Sequence, residues 1–163
     1  MTKFFPSLFL SLWMFIGCDK ECDVEITAYQ FKDPQPLPSF ALESAFGQSI
    51  ITQDDLAKQY VVLDFFFTSC PSICPKMSGN MQRIQQELKG LDGFSLVSIS
   101  IDERRDNIQR LREYAALYEA DTNTWSFLRG SKKEVFGLAD ALKIGVAESD
   151  LPTSGGFLSL IHI

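Results

Sequence analysis

The stretch Tyr60-Val61-Val62-Leu63-Asp64-Phe65-Phe66-Phe67 is apolar except for Asp64, and it is rich in β-branched and aromatic residues. Polar and apolar positions do not alternate in it. It therefore predicts a central strand buried on both faces. Directly behind it the chain reads Thr68-Ser69-Cys70-Pro71-Ser72-Ile73-Cys74-Pro75. From there Cys74, Met77, Met81, Ile84 and Leu88 recur at helical spacing, which predicts a helix from about Cys70 to Leu88, ended by Gly90 and Gly93. The cysteine pair thus sits where a buried strand hands over to a helix. Four residues apart on a helical turn, both sulfurs fall on one side. They can close a disulfide, or grip one soft metal ion between two thiolates.

The same alternation continues downstream. Phe40 to Leu42 and Ile50-Ile51 flank Phe46-Gly47-Gln48, a hairpin signal. Thr52 opens a short helical turn through Leu56. Phe94 to Ile101 reads as a second buried strand. Asp106 with Gln109 has the form of a helix cap and its partner, and the helix behind it carries Ile108, Leu111, Ala115 and Tyr118 on one face. Trp125 to Leu128 is a short third strand. Ser131 with Glu134 caps a further helix that buries Val135, Leu138 and Leu142. Hairpin, then β, α, β, α, β, α, implies an α/β fold with a parallel-type sheet covered by helices. The 163 residues suffice for one domain with a real core. A net charge of −6 argues against nucleic acid as a partner, because no basic stripe can neutralise phosphates. The single histidine, His162, limits histidine-based chemistry.

The N-terminus reads as a separate unit. Lys3 is followed by Phe4 to Gly17, apolar apart from two serines. That run is shorter than the ~20 residues a membrane-spanning helix needs and fits a secretory signal segment. It ends in Phe15-Ile16-Gly17-Cys18, which resembles a bacterial lipobox, where cleavage precedes a cysteine that becomes lipidated. Residues 1–17 are then a lipoprotein signal peptide. Residues 18–37, with Pro34 and Pro36, form a tether. Export places the domain where disulfides persist. Cys22 has no role assigned to it.

A strand followed by Cys-x-x-x-Cys-Pro at the start of a helix, in an exported α/β domain, resembles the Sco/SenC family. The similarity covers roughly Leu37 to Phe157. It includes Pro38-x-Phe40-x-Leu42, the Gly47 turn, Asp64 to Met77 with Phe67-Thr68-Ser69-Cys70-Pro71-x-x-Cys74-Pro75, and the acidic loop Asp102 to Asp106. The resemblance implies a thioredoxin-like fold over residues 38–157. It implies copper bound by Cys70, Cys74 and a distant histidine. It also implies a role in building the binuclear copper centre of cytochrome c oxidase, as copper donor, as reductant of the oxidase cysteines, or both. The partners would be the copper subunit of the oxidase and other copper chaperones or thiol reductants. The place would be the bacterial cell envelope, lipid-anchored, with the domain outside the cytoplasm.

The chain departs from the family pattern near its end. The family histidine follows a Gly-Gly-Phe-like segment by two residues. Here Gly155-Gly156-Phe157 is followed by Leu158-Ser159-Leu160-Ile161-His162-Ile163. Those last residues are also what the mosaic end of a transposase-based sequencing adapter encodes. We therefore expect 158–163 to be adapter-derived, the closing strands and helix of the fold to be missing, and His162 not to be the third ligand. The alternative is a natural terminus with a drifted ligand.

The chemistry of the pair follows from sulfur. Thiolate is both nucleophile and metal ligand, and a helix N-terminus lowers a thiol pKa. Two soft thiolates suit Cu(I), while Cu(II) asks for further nitrogen or oxygen donors. Four protein ligands for zinc cannot be found. Asp64 lies six residues before Cys70, the offset of thioredoxin's buried acid. It could relay a proton during thiol exchange, or be a locally hydrogen-bonded carboxylate. Met77 and Met81 are soft donors on paper but read as core. Asp102 and Asp106 follow a strand's C-terminal end, where α/β sites form, although Asp106 reads more simply as an N-cap. Arg104 and Arg105 read as solvated loop charges. The competing class is an enzyme, a thiol–disulfide oxidoreductase or a peroxiredoxin-like protein, since Thr68-Ser69-Cys70 resembles the threonine before a peroxiredoxin's reactive cysteine. Its working groups would be Cys70 and Cys74 as a redox-active disulfide, with Asp64. On the lipobox reading, Cys18→Ala should block processing and leave a full-length precursor that takes up no labelled lipid. A membrane-bound product of unchanged size would instead mark the apolar run as an uncleaved anchor.

Overall fold

A computed structural model describes residues 37–57, 59–148 and 157–160, which lie in the second of the chain's two compact units, residues 35–163. Its centre is a five-stranded sheet of β1 (Ala41–Ser44), β2 (Ile50–Thr52), β3 (Tyr60–Phe66), β4 (Phe94–Ser100) and β5 (Trp125–Arg129), in the order β2-β1-β5-β4-β3. Strands β3, β4 and β5 run parallel, and β1 pairs antiparallel with both β5 and β2. Helices α1 (Ile73–Glu87), α2 (Ile108–Leu117) and α3 (Lys132–Ala141) follow β3, β4 and β5 in turn. This is the α/β alternation that the sequence predicts.

Strands β3 and β4 pair without a slip, from Tyr60 against Phe94 to Phe66 against Ser100. The amide of Ile101 extends the pairing to the Phe66 carbonyl at 2.9 Å. Both chains therefore leave the sheet at one edge, side by side. The core beneath that edge is aromatic. The Phe66 ring lies 5.0 Å from Tyr114 and meets Phe127 edge-on at 5.9 Å, while Trp125 stacks on Phe127 at 5.0 Å. Trp125 is fully buried, and its indole N–H donates to Ser98 Oγ at 2.9 Å, so the core holds no orphaned indole. In the hairpin, Ser44 N–H bonds the Ser49 carbonyl at 3.0 Å, and Gly47 takes a φ of +63°, which a residue with a Cβ adopts with strain.

Several sequence expectations need correction. β3 is not central. Among the described residues it ends the sheet, with Tyr60 85% exposed and Val62 also exposed, and only its second half is buried. A continuous apolar run reports low polarity, not the presence of a strand on each side. Asp106 is not the cap of α2. Asn107 is, its side chain accepting from the Arg110 amide at 2.9 Å, while Asp106 points inward. The Ser131–Glu134 capping box is present as expected, with Val135 and Leu138 buried and Leu142 partly so. A two-stranded antiparallel ribbon, β6 (Gly145–Glu148) with β7 (Phe157–Leu160), was not expected from the sequence. It is short, and β7 begins at Phe157, the last residue that the sequence assigns to the domain.

Gly130, just past β5, sits against Leu42. A Cβ built there would collide with Leu42 Cδ2 and touch Val135 Cγ2 at 3.5 Å. Leu42 is buried and has nowhere to retreat. Gly130→Ala should therefore lower stability by about 1–3 kcal/mol in urea unfolding. Gly137, where nothing lies within 4 Å, should accept alanine without such loss.

Candidate metal centre

The chain turns immediately after β3. Cys70 N–H bonds the Phe67 carbonyl at 3.2 Å, and α1 begins only at Ile73. Cys70 thus stands in the turn, not on the helix as its spacing suggested. The helix still depends on it. Ser72 occupies the N-cap position but makes no side-chain cap bond. Instead the Cys70 sulfur accepts the Cys74 N–H at 3.4 Å, satisfying one of the amides a helix start leaves open. Both cysteines are free thiols and both are buried, Cys70 at 9% exposure and Cys74 at 0%.

The two thiols are electrically unlike. Burial opposes ionisation of Cys70, but the Cys74 thiol and the amides of Ser72, Cys74 and Ile73 outweigh it, and its pKa falls below the ordinary thiol value. Cys74 is pushed up to about 12, first by burial and then by donating its hydrogen to Cys70. Negative charge on Cys70 or Asp64 raises it further, while a backbone contact at Phe67 works the other way. Of the two, Cys70 is the thiol more easily ionised and Cys74 the one that holds its proton.

Asp64 lies deeper on β3, paired in register with Ser98. It is buried, and neither carboxylate oxygen has a hydrogen-bond partner. Burial raises its pKa to about 6; the neighbouring Ser98 hydroxyl, short of hydrogen-bond geometry, and its own backbone pull it back.

Facing the cysteine turn is the loop after β4. Asp106, fully buried, accepts Thr68 N–H at 3.0 Å and the Ser100 hydroxyl at 2.6 Å on one oxygen, and the Thr68 hydroxyl at 2.6 Å on the other. From outside, Arg110 Nε donates to Thr68 Oγ1 at 3.0 Å. Asp102 is also buried and takes the Arg105 amide at 3.1 Å and its guanidinium at 3.3 Å. Arg104 is exposed, as a solvated loop charge is, whereas Arg105, though largely exposed, pairs with Asp102 and is not the purely solvated charge that the sequence suggests. Met81 is core and Met77 is half-buried. Ser78 and Tyr114, absent from the sequence expectations, are buried and hydrogen-bonded at 3.0 Å. Their polarity hid them from an apolar pattern. Among the described residues no group of three or more His, Cys, Asp or Glu side chains could hold a metal. His162, Cys18 and Cys22 lie outside the described residues.

Parallel strands, covering helices and a dithiol at the strand–helix turn define a thioredoxin-like dithiol domain. The chain belongs to the SCO1/SenC family, whose model matches residues 30–162. Its fold is similar to that of a SCO1/SenC family lipoprotein from Bacillus anthracis, at 26% identity and TM-score 0.67, covering 76% of this chain and 73% of that one. It is also similar to BsSco, a member of the Sco family of cytochrome c oxidase assembly proteins in which a disulfide switch was identified. There the identity is 31%, the TM-score 0.59, and the shares 68% and 66%. Copper-bound ScoI of Arabidopsis thaliana shares the fold at 24% identity and TM-score 0.63, covering 77% and 76%. The chain spans 56% and 51% of the length of two curated relatives that it matches.

The state of Asp64 has a measurable consequence. A carboxyl whose folded pKa is raised holds its proton longer in the folded than in the unfolded chain. Stability should therefore fall as pH rises from the ordinary carboxylate range to about 6, and be flat above that. Asp64→Asn should remove this slope and stabilise the reduced protein at pH 7 by on the order of 2 kcal/mol. Denaturant titrations at pH 4 to 8 would read both. An unchanged slope would place the carboxylate in a polar setting.

Proposed function

We propose that Cys70 and Cys74 carry one Cu(I) ion, and that the domain serves, outside the cytoplasm and lipid-anchored through Cys18, in assembling the binuclear copper centre of cytochrome c oxidase. The observation that carries this reading is the pair itself: two buried sulfurs in one turn, one of them eased toward thiolate, with no hard donor grouped beside them among the described residues. Two soft thiolates suit Cu(I), and they are too few for zinc. Relatives of the family with copper bound support the metal. The oxidase copper subunit, and any chaperone that loads this domain, follow from the family.

The unequal thiols favour a second reading, disulfide exchange. Cys70 thiolate attacks a partner disulfide and forms a mixed disulfide, releasing one partner thiolate. Cys74 then loses its proton and attacks Cys70 Sγ. The domain leaves oxidised, with a Cys70–Cys74 disulfide, and the partner leaves reduced by two electrons. Asp64, raised to about 6 and electrically coupled to Cys74, is the group we assign to take that proton. The peroxidase variant is less favoured, because the Thr68 hydroxyl is already committed to Asp106.

For Cu(II) we propose that a further donor lies beyond Phe157 in the gene, with 158–163 adapter-derived. The family match runs to residue 162, so the point needs a direct test. The reduced 163-residue chain should bind one Cu(I), competed by a Cu(I) chelator, and Cys70→Ser or Cys74→Ser should each abolish tight binding. Unchanged affinity in both would move the site. Cu(II) should bind weakly, and equally weakly in His162→Ala. Loss of Cu(II) on that substitution, or genomic sequence continuing through the same six codons, would restore His162 as ligand.

A further inference from the structure

Among the described residues Asp106 is the one buried carboxylate with three donors converging on it, and the copper and exchange chemistry uses none of them. Two come from Thr68, which lies inside the turn that closes from Cys70 N–H to the Phe67 carbonyl. The third comes from Ser100, the last residue of β4, where the register places it beside Phe66. Asp106 thus ties the end of β3 to the end of β4 across the point where the two chains part. Its own amide is held by the Asp102 carbonyl at 3.0 Å, and the Asp102 amide by the Ser100 hydroxyl oxygen at 3.2 Å, so the loop that presents it is itself braced. Without Asp106, the half-buried Thr68 amide and hydroxyl would lose their shared acceptor, and the turn would be free to move toward solvent to find another.

What that turn delivers is the Cys70 sulfur, set against the amides of Ser72, Ile73 and Cys74. We propose that Asp106 is a positioning residue for Cys70: by clasping Thr68 it sets where the turn leaves β3, and so holds the sulfur against the first amides of α1. The proposal rests on the dithiol reading but not on copper. It also has a sign that separates it from a simple loss of packing, which would open the turn and make the buried Cys70 easier to reach. Losing the clasp should make it less reactive, because the sulfur drifts from its amide donors.

The test is the rate at which Cys70 in the reduced full chain reacts with iodoacetamide at neutral pH, with peptide mass mapping to distinguish it from Cys74. Asp106→Asn and Thr68→Val should each slow Cys70 by roughly three- to tenfold, because a sulfur displaced from the Cys74 amide loses the donor that activates it. Thr68→Ser, which keeps the hydroxyl, should react at the wild-type rate. The double variant should be no slower than the slower single one, because both break one clasp. Circular dichroism and melting temperature check that each variant is folded, and if Asp106→Asn fails to fold, the Val and Ser forms at 68 carry the comparison. A faster or unchanged Cys70 in Asp106→Asn, or Thr68→Val and Thr68→Ser behaving alike, would overturn the proposal. Metal takes no part in the measurement, so failure to bind Cu(I) would count against the copper reading alone.

Discussion

The in-step pairing of β3 with β4 is the constraint on which the rest depends. Two parallel strands that end together release their chains at one edge, and everything chemical in this domain gathers there. Had the register slipped by one residue, each β3 side chain would face the other side of the sheet. Asp64 would then leave the position that couples it to Cys74, and Ser100 would no longer sit level with Phe66. Beneath that edge the rings of Phe66, Phe127, Trp125 and Tyr114 pack β3 against β5 and α2.

Much of this was legible in the sequence. The helical spacing of Cys74, Met81, Ile84 and Leu88, the Ser131–Glu134 box and the three apolar strand runs are local patterns, and local patterns survive folding. The placement of the cysteine pair where β3 hands over to α1 was legible too, since it needs only residue type and spacing. What escaped depends on partners far along the chain. Asp106 looks like a cap because aspartate before a helix usually is one. Its true donors come from Thr68, 38 residues away, and no window of sequence reports them. Tyr114 and Ser78, 36 apart, satisfy each other and so can be buried despite their polarity.

The exposed first half of β3 shows the reverse error. Tyr60 and Val62 are as apolar as their buried neighbours, so nothing local tells them apart. Only the sheet order does, and it is set by which strands are present to pair. The β6–β7 ribbon was missed for a related reason: four-residue strands carry too little pattern to rise above the surrounding chain.

The Cys70 sulfur serves two structures at once, the dithiol and the start of α1. An alanine there subtracts a helix cap as well as a thiol. Any loss of function in such a variant mixes a frayed first turn with missing chemistry. Cys74 is different, for its backbone amide makes the cap bond whatever its side chain carries. The two cysteines are therefore unequal as probes: a change at Cys74 reports on sulfur chemistry, while a change at Cys70 also reports on how the helix begins.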